Sequence, residues 1–91
     1  MPKLLKIGHY IIFFWSNEND EPIHIHISMK PLENATKVWL TRGGSYLVAN
    51  NRSKIPQHEL NALLDMLTGY YSYICSQWKN HFVLDDIKYY C

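Results

Sequence analysis

Nine Lys/Arg against eight Asp/Glu give 91 residues a formal charge of +1, and a 47% hydrophobic share that includes seven Tyr, three Trp and three Phe supplies a core. Such a chain is expected to be one small domain, residues 1–91, with no room for a second; it is no disordered tail, and its near-neutral balance argues against duplex DNA or an anionic membrane as the dominant partner. Cys75 and Cys91 have neither the spacing of a zinc motif nor the density of a secreted disulfide scaffold, so a reducing, cytoplasmic setting is expected.

The chain opens with lysines and apolar residues, but Gly8-His9 interrupts the run and no small-residue cleavage site follows, so it does not read as a signal peptide. Its uninterrupted part, Tyr10 to Trp15, is far short of the ~20 residues of a spanning helix. Lys3 to Ile7 and His9 to Ser16 read as strands on either side of Gly8, and the second is apolar on both faces. That pattern predicts a central strand with a helix over one face and a partner subunit over the other.

Asn17 to Pro22 is a turn by composition. Ile23 to Ser28 then alternates strictly, so Ile23, Ile25 and Ile27 are predicted to face the core, with His24, His26 and Ser28 on the opposite side. Lys30 to Asn34 is a second turn and Ala35 to Leu40 a strand, with Thr36, Val38 and Leu40 opposing Ala35, Lys37 and Trp39. Arg42 to Ser45 is read as a hairpin turn rather than a phosphate cradle, and Tyr46 to Asn50 as a further strand.

From Leu60 the period changes. Leu63, Leu64, Leu67, Tyr71, Ile74, Trp78 and Phe82 form one stripe of an amphipathic helix, with Pro56 in its first turn and Gly69 as a place for a kink. Ile87 to Cys91 has strand-like residues that could pair onto a sheet edge. The expected fold is α+β: an antiparallel meander of four to five strands with one long C-terminal helix packed across one face.

The order "IGHYIIFFWSNENDEPIHIHI", "KVWL" and a helix ending "WKNHF" resembles the small bacterial family called domain of unknown function 4160. Glu21, Pro22, His24 and His26 form the most specific part of the likeness, and the closing "KYYC" is similar to the ending of one subgroup. The resemblance implies no particular reaction. It implies a bacterial setting beside another small gene, in arrangements that look like toxin–antitoxin pairs. The stretch "TRGGSYLVANNRSKIP" departs from the commoner, shorter connection of that family.

Two histidines at i and i+2 on one strand face can share an ion, and neutral imidazole suits Zn, Ni, Cu or Fe, so a divalent transition metal is the candidate cofactor. A third ligand is required. Glu18, Asp20 and Glu21 stand near in sequence, with Glu21 or Asp20 the expected partner, while His9, His81 and Cys91 could arrive only through the fold. The same His24 and His26 are candidates for metal-free acid/base catalysis, as in a ribonuclease, with Arg42, Arg52 and Lys54 as phosphate or nucleic-acid binders. Lys37 and Trp39, extended by Tyr46, Val48 and Asn50, could offer a stacking surface for RNA, although core packing is the ordinary role of such a Trp.

Met66, Tyr70 and Tyr73 flank the helical stripe with more large side chains than one sheet needs, and mark an interface. The expected function is therefore a cytoplasmic protein-interaction module, binding a cognate small protein in a toxin–antitoxin-like or regulatory pair, or itself as a homodimer. The alternative is a metal-dependent hydrolase or metal-free ribonuclease centred on the His-x-His strand.

Overall fold

The computed structural model describes residues 3–18, 20–30 and 34–91. Lys3–Ile7 (β1) turns through Gly8, at φ +60°, into Tyr10–Phe13 (β2). Positive φ is open to glycine at little cost, which accounts for the tightness of this hairpin. His24–Ser28 (β3), Thr36–Leu40 (β4) and Tyr46–Asn50 (β5) follow, and the five strands lie antiparallel in chain order. The turn expected at Lys30 to Asn34 lies partly outside the described residues, as does Asn19 within the reversal before Pro22.

Register decides which residues share a face. His26 is opposite Phe13 on one side and Lys37 on the other, and His24 is opposite Trp39. Ile23, Ile25 and Ile27 are fully buried in the core, as strand parity predicts, together with Ile12, Phe14, Val38 and Leu40. Each such side chain removed from water contributes roughly 1.5–3 kcal/mol before chain entropy is set against it.

Tyr46 and Val48 pack against this same core, because β5 places them opposite Leu40 and Val38. They do not extend the Lys37–Trp39 face as the sequence reading supposed.

The helical region is two helices, Gln57–Thr68 (α1) and Tyr71–His81 (α2), rather than one. Around Gly69 the backbone tightens: the Gly69 and Tyr70 N–H groups donate to the carbonyls of Met66 and Leu67, three residues back, and α2 restarts when Ile74 N–H donates to Tyr70 O. The stripe survives the break, with Leu60, Leu63 and Leu67 of α1 and Ile74 and Trp78 of α2 all buried. Pro56 is the residue that caps α1, just outside its first turn. Two phenols tie the helical layer to the sheet: Tyr46 Oη donates to Leu67 O at 2.7 Å, and Tyr71 Oη donates to Thr41 O.

The other face of β2 is covered within the chain. Phe13 has no exposed surface and meets the edge of Trp15, with ring centroids 5.2 Å apart, and the ring of His26 at 5.5 Å. The two-sided apolarity of this strand therefore needs no partner subunit. After α2 the chain crosses the ends of β3 and β4 without forming a strand: Ile23 N–H donates to Lys88 O and Arg42 N–H to Cys91 O, each at 2.9 Å. Tyr90 stacks on Trp39 with centroids 4.8 Å apart and planes 4° from parallel. Among the described residues no helix is long and apolar enough to cross a membrane.

Candidate metal centre

The hairpin from β2 to β3 builds the site. Its reversal folds back so that Trp15 N–H donates to Glu18 Oε1 at 2.9 Å, and Glu21 N–H donates to Glu18 O at 3.2 Å. This turn holds the Glu18 carboxylate over the polar face of β3. There His24 Nε2 is 2.9 Å from Glu18 Oε2, and His26 Nε2 is 3.1 Å from both carboxylate oxygens. One ligand atom from each of the three side chains lies within 4.8 Å of the other two.

His24 is fully buried, walled by the edges of Trp39 and Trp78 at centroid distances of 5.4 and 5.3 Å. Its Nδ1 lies 2.9 Å from Pro22 O. A carbonyl can only accept, so Nδ1 carries the hydrogen, and neutral His24 presents the lone pair of Nε2 to the site. That nitrogen has no aligned hydrogen bond despite its proximity to Glu18. A positive charge between that nitrogen and the carboxylate oxygen 2.9 Å away, either a proton on Nε2 or a metal ion, makes the contact favourable. A backbone carbonyl fixing the far nitrogen of a buried histidine is the usual outer-sphere support of a metal ligand.

Distances agree with this chemistry. Two donors each ~2.1 Å from one ion sit about 3.0 Å apart at right angles and about 3.4 Å apart at tetrahedral angles; the 2.9 and 3.1 Å between the imidazoles and Glu18 lie near the first value and are also the lengths of His–carboxylate hydrogen bonds. Two imidazoles and a carboxylate are a donor set for Zn and for Fe(II), with further coordination positions left free. Burial by itself raises the Glu18 carboxyl pKa, but the neighbouring imidazoles of His24 and His26 and the Trp15 N–H more than offset it and hold the group well below the ordinary carboxylate range. Glu18 is therefore an anion at neutral pH.

The carboxylate that stands with the two imidazoles is Glu18, while Glu21 and Asp20, to which the sequence points, have other contacts. Glu21 is engaged by Lys37, whose Nζ donates to its Oε1 at 2.7 Å. Asp20 is exposed and contributes its backbone carbonyl to Lys88 Nζ at 3.2 Å. Strand parity found His24 and His26; the carboxylate was hidden because turn composition carries no periodicity. The available signal is Lys37, opposite His26, which draws one nearby acid away from the pair.

An open cleft of about 440 Å³ adjoins the centre, lined by Trp15, Asn17, Glu18, Glu21 and His26. The cations proposed as phosphate binders do not line it. Arg52 and Lys54 border a separate cavity, and Arg42, just after β4, has its guanidinium 4.9 Å above the Tyr89 ring. Lys37 sits 4.3 Å over the Trp39 ring, and Tyr90 covers that ring, so this aromatic is occupied within the chain. Met66, Tyr70 and Tyr73 are 56%, 47% and 45% exposed, and the Tyr73 hydroxyl reaches Leu4 O at 3.4 Å.

A five-stranded meander under two helices, with two histidines and a glutamate gathered at the β2–β3 hairpin where Trp78 of α2 reaches His24, is the class of protein that these observations define. The chain belongs to the family described as Domain of unknown function (DUF4160), whose model matches residues 10–79. That span contains Glu18, His24 and His26, while β1 and the segment after Lys79 fall outside it. No curated protein and no solved structure matches the chain.

Proposed function

We propose that this protein is a metal-dependent hydrolase in which Glu18, His24 and His26 hold one divalent transition-metal ion beside the cleft at Trp15. The observation that carries the reading is the convergence of Glu18, His24 and His26, one ligand atom from each within 4.8 Å of the others, with the far nitrogen of buried His24 held by Pro22 O. When bound, such an ion polarises substrate oxygens and brings the pKa of a coordinated water toward neutrality. Glu18 and His26 line the cleft, so ligands can approach the centre from that side, while the buried His24 anchors it from beneath. The same burial weighs against a metal-free histidine pair, since a general base must lie within hydrogen-bond reach of its substrate.

Protein made without a histidine tag, dialysed against Zn²⁺, Co²⁺, Ni²⁺ and Fe²⁺ in turn and measured by elemental analysis, tests the reading. One equivalent of one metal is expected, absent from His24→Ala/His26→Ala, with hydrolysis of an activated ester or phosphodiester that a chelator abolishes. Less than stoichiometric uptake of every metal overturns the metal centre, and stoichiometric uptake without hydrolysis overturns the reaction.

A second reading has its own support. The exposed Met66, Tyr70 and Tyr73 form a flank suited to a partner, either a cognate small protein in a toxin–antitoxin-like pair or a second copy, in the cytoplasm. Equilibrium sedimentation of wild type and Met66→Lys/Tyr70→Lys, alone and with the product of an adjacent gene, tests it: a wild type that stays monomeric and unpartnered ends this reading.

A further inference from the structure

A second cavity, of about 360 Å³, opens between the loop after β3 and the loop joining β5 to α1. Three cations border it, Lys30 from the first loop and Arg52 and Lys54 from the second, together with Ser28, Ser53 and Asn34. Among the described residues no carboxylate lines it and none of the three cations makes an ion pair; at the rim the Tyr10 hydroxyl donates to Glu59 at 3.4 Å. Formal charge over the whole chain is only +1, so without these three cations the remainder is net acidic. Three cations meet at this cavity, and concave walls focus their field.

The second loop is built rather than merely exposed. Asn51 Oδ1 accepts from Thr36 Oγ1 at 2.7 Å and from Ile55 N–H at 3.1 Å, while its Nδ2 donates to Ile55 O at 2.8 Å. Ser53 Oγ accepts from Thr36 N–H at 2.8 Å and donates to Ile27 O at 2.9 Å. Thr36 itself is fully buried. Between these anchors Lys54 is held at φ +57°, in the left-handed region that side-chain-bearing residues rarely adopt. The anchored backbone sets the direction in which the Lys54 side chain leaves the loop, toward the cavity that it lines.

We propose that this cavity binds a phosphomonoester dianion, held by Lys30, Arg52 and Lys54 with the Ser28 hydroxyl, whose hydrogen no other described residue takes, at its wall. Arginine supplies a planar fork matched to phosphate oxygens, and lysines supply point charges. His24 and Ser28 are four residues apart on β3, about 13 Å at the rise of a strand. One phosphate in the cavity therefore does not touch the metal centre, and the two proposals stand or fall separately.

Amide chemical shifts followed by NMR during titration with inorganic phosphate, at constant ionic strength balanced with chloride, test the site. Saturable shifts at residues 28–30 and 52–56 are expected, reproduced by adenosine 5′-monophosphate. Affinity should fall about tenfold in Arg52→Gln and again in Lys54→Gly, as removal of a charge-assisted hydrogen bond implies. Lys54→Gly keeps the left-handed backbone while deleting the charge, so its loss of binding cannot come from a misfolded loop, and Arg42→Gln should bind as wild type. Shifts that never saturate, that chloride reproduces or that survive both substitutions overturn the proposal, as does saturation by a short RNA lacking terminal phosphates when neither phosphate nor the mononucleotide saturates.

Discussion

Both carboxylate oxygens of Glu18 lie 3.1 Å from His26 Nε2, across a reversal that brings residues eight apart in the chain face to face. Glu18→Gln keeps the size of the side chain and removes its charge, and should weaken metal binding by at least ~100-fold, beyond what outer-sphere changes ordinarily cost. Glu21→Gln, which loses only the partly exposed pair with Lys37, should leave affinity within about threefold. Competition against a chelator of known affinity measures both, and equal effects of the two changes would return the third-ligand role to an open question between them.

Gly69 separates the two helices without needing to be glycine. Its φ is −72°, and a Cβ there would meet only Met66 O, at an ordinary 3.7 Å. Gly69→Ala should therefore stabilise the fold by about 0.5–1 kcal/mol, by reducing the freedom of the unfolded chain. Urea unfolding gives the sign directly; destabilisation would show that the break between α1 and α2 requires the glycine.

Phe13 lies on the sheet face away from the helices and has no exposed surface. Its cover comes from Trp15 and His26 of the same chain, so Phe13→Ala should cost about 3–5 kcal/mol. The loss should be independent of protein concentration. A cost that grows as the protein is concentrated would mean that a second copy, and not Trp15, completes this face.

Tyr46, Tyr71, Tyr89 and Cys75 form a cluster at the seam between sheet and helices. Burial first, and then the neighbouring Cys75, push the pKa of Tyr46 and of Tyr71 upward, and burial does the same for Tyr89 and Cys75. Both Tyr46 and Tyr71 donate to backbone carbonyls, which phenolates cannot do. Because the folded forms hold their protons more tightly than the unfolded chain, this stabilisation is full below the unfolded phenol value of about 10 and is lost as pH rises through the folded values. Unfolding free energy should fall steeply above about pH 10, and less steeply in Tyr46→Phe/Tyr71→Phe. In the same surroundings Cys75 should react with a thiol reagent more slowly than the exposed Cys91.

Legibility in the sequence followed periodicity. The alternation from Ile23 to Ser28 separates core isoleucines from the histidines, and the structure places them on those two sides. The helical stripe from Leu60 to Trp78 is likewise legible, but a stripe records which side chains face inward and not whether the backbone between them is continuous, so the sequence points to a kink at Gly69 within one helix where the structure has a break between two. Tyr46 and Val48 were assigned to the wrong face because β5 had to be paired with β4 before its parity meant anything. Glu18 was passed over for Glu21 and Asp20 because its position depends on one turn hydrogen bond from Trp15 and on the capture of Glu21 by Lys37, both contacts between residues that no period connects.

The strands follow one another across the sheet in the order they occur in the chain, and the three proposed ligands all belong to one hairpin. An ion joining Glu18 to His24 and His26 would close a very short loop, and short loops surrender little chain entropy when they are closed. Metal loading should therefore slow amide exchange across β2 and β3 while leaving that of α1 and α2 almost unchanged. The reactive end of the molecule would then be ordered by its cargo, and the apolar end by its own packing.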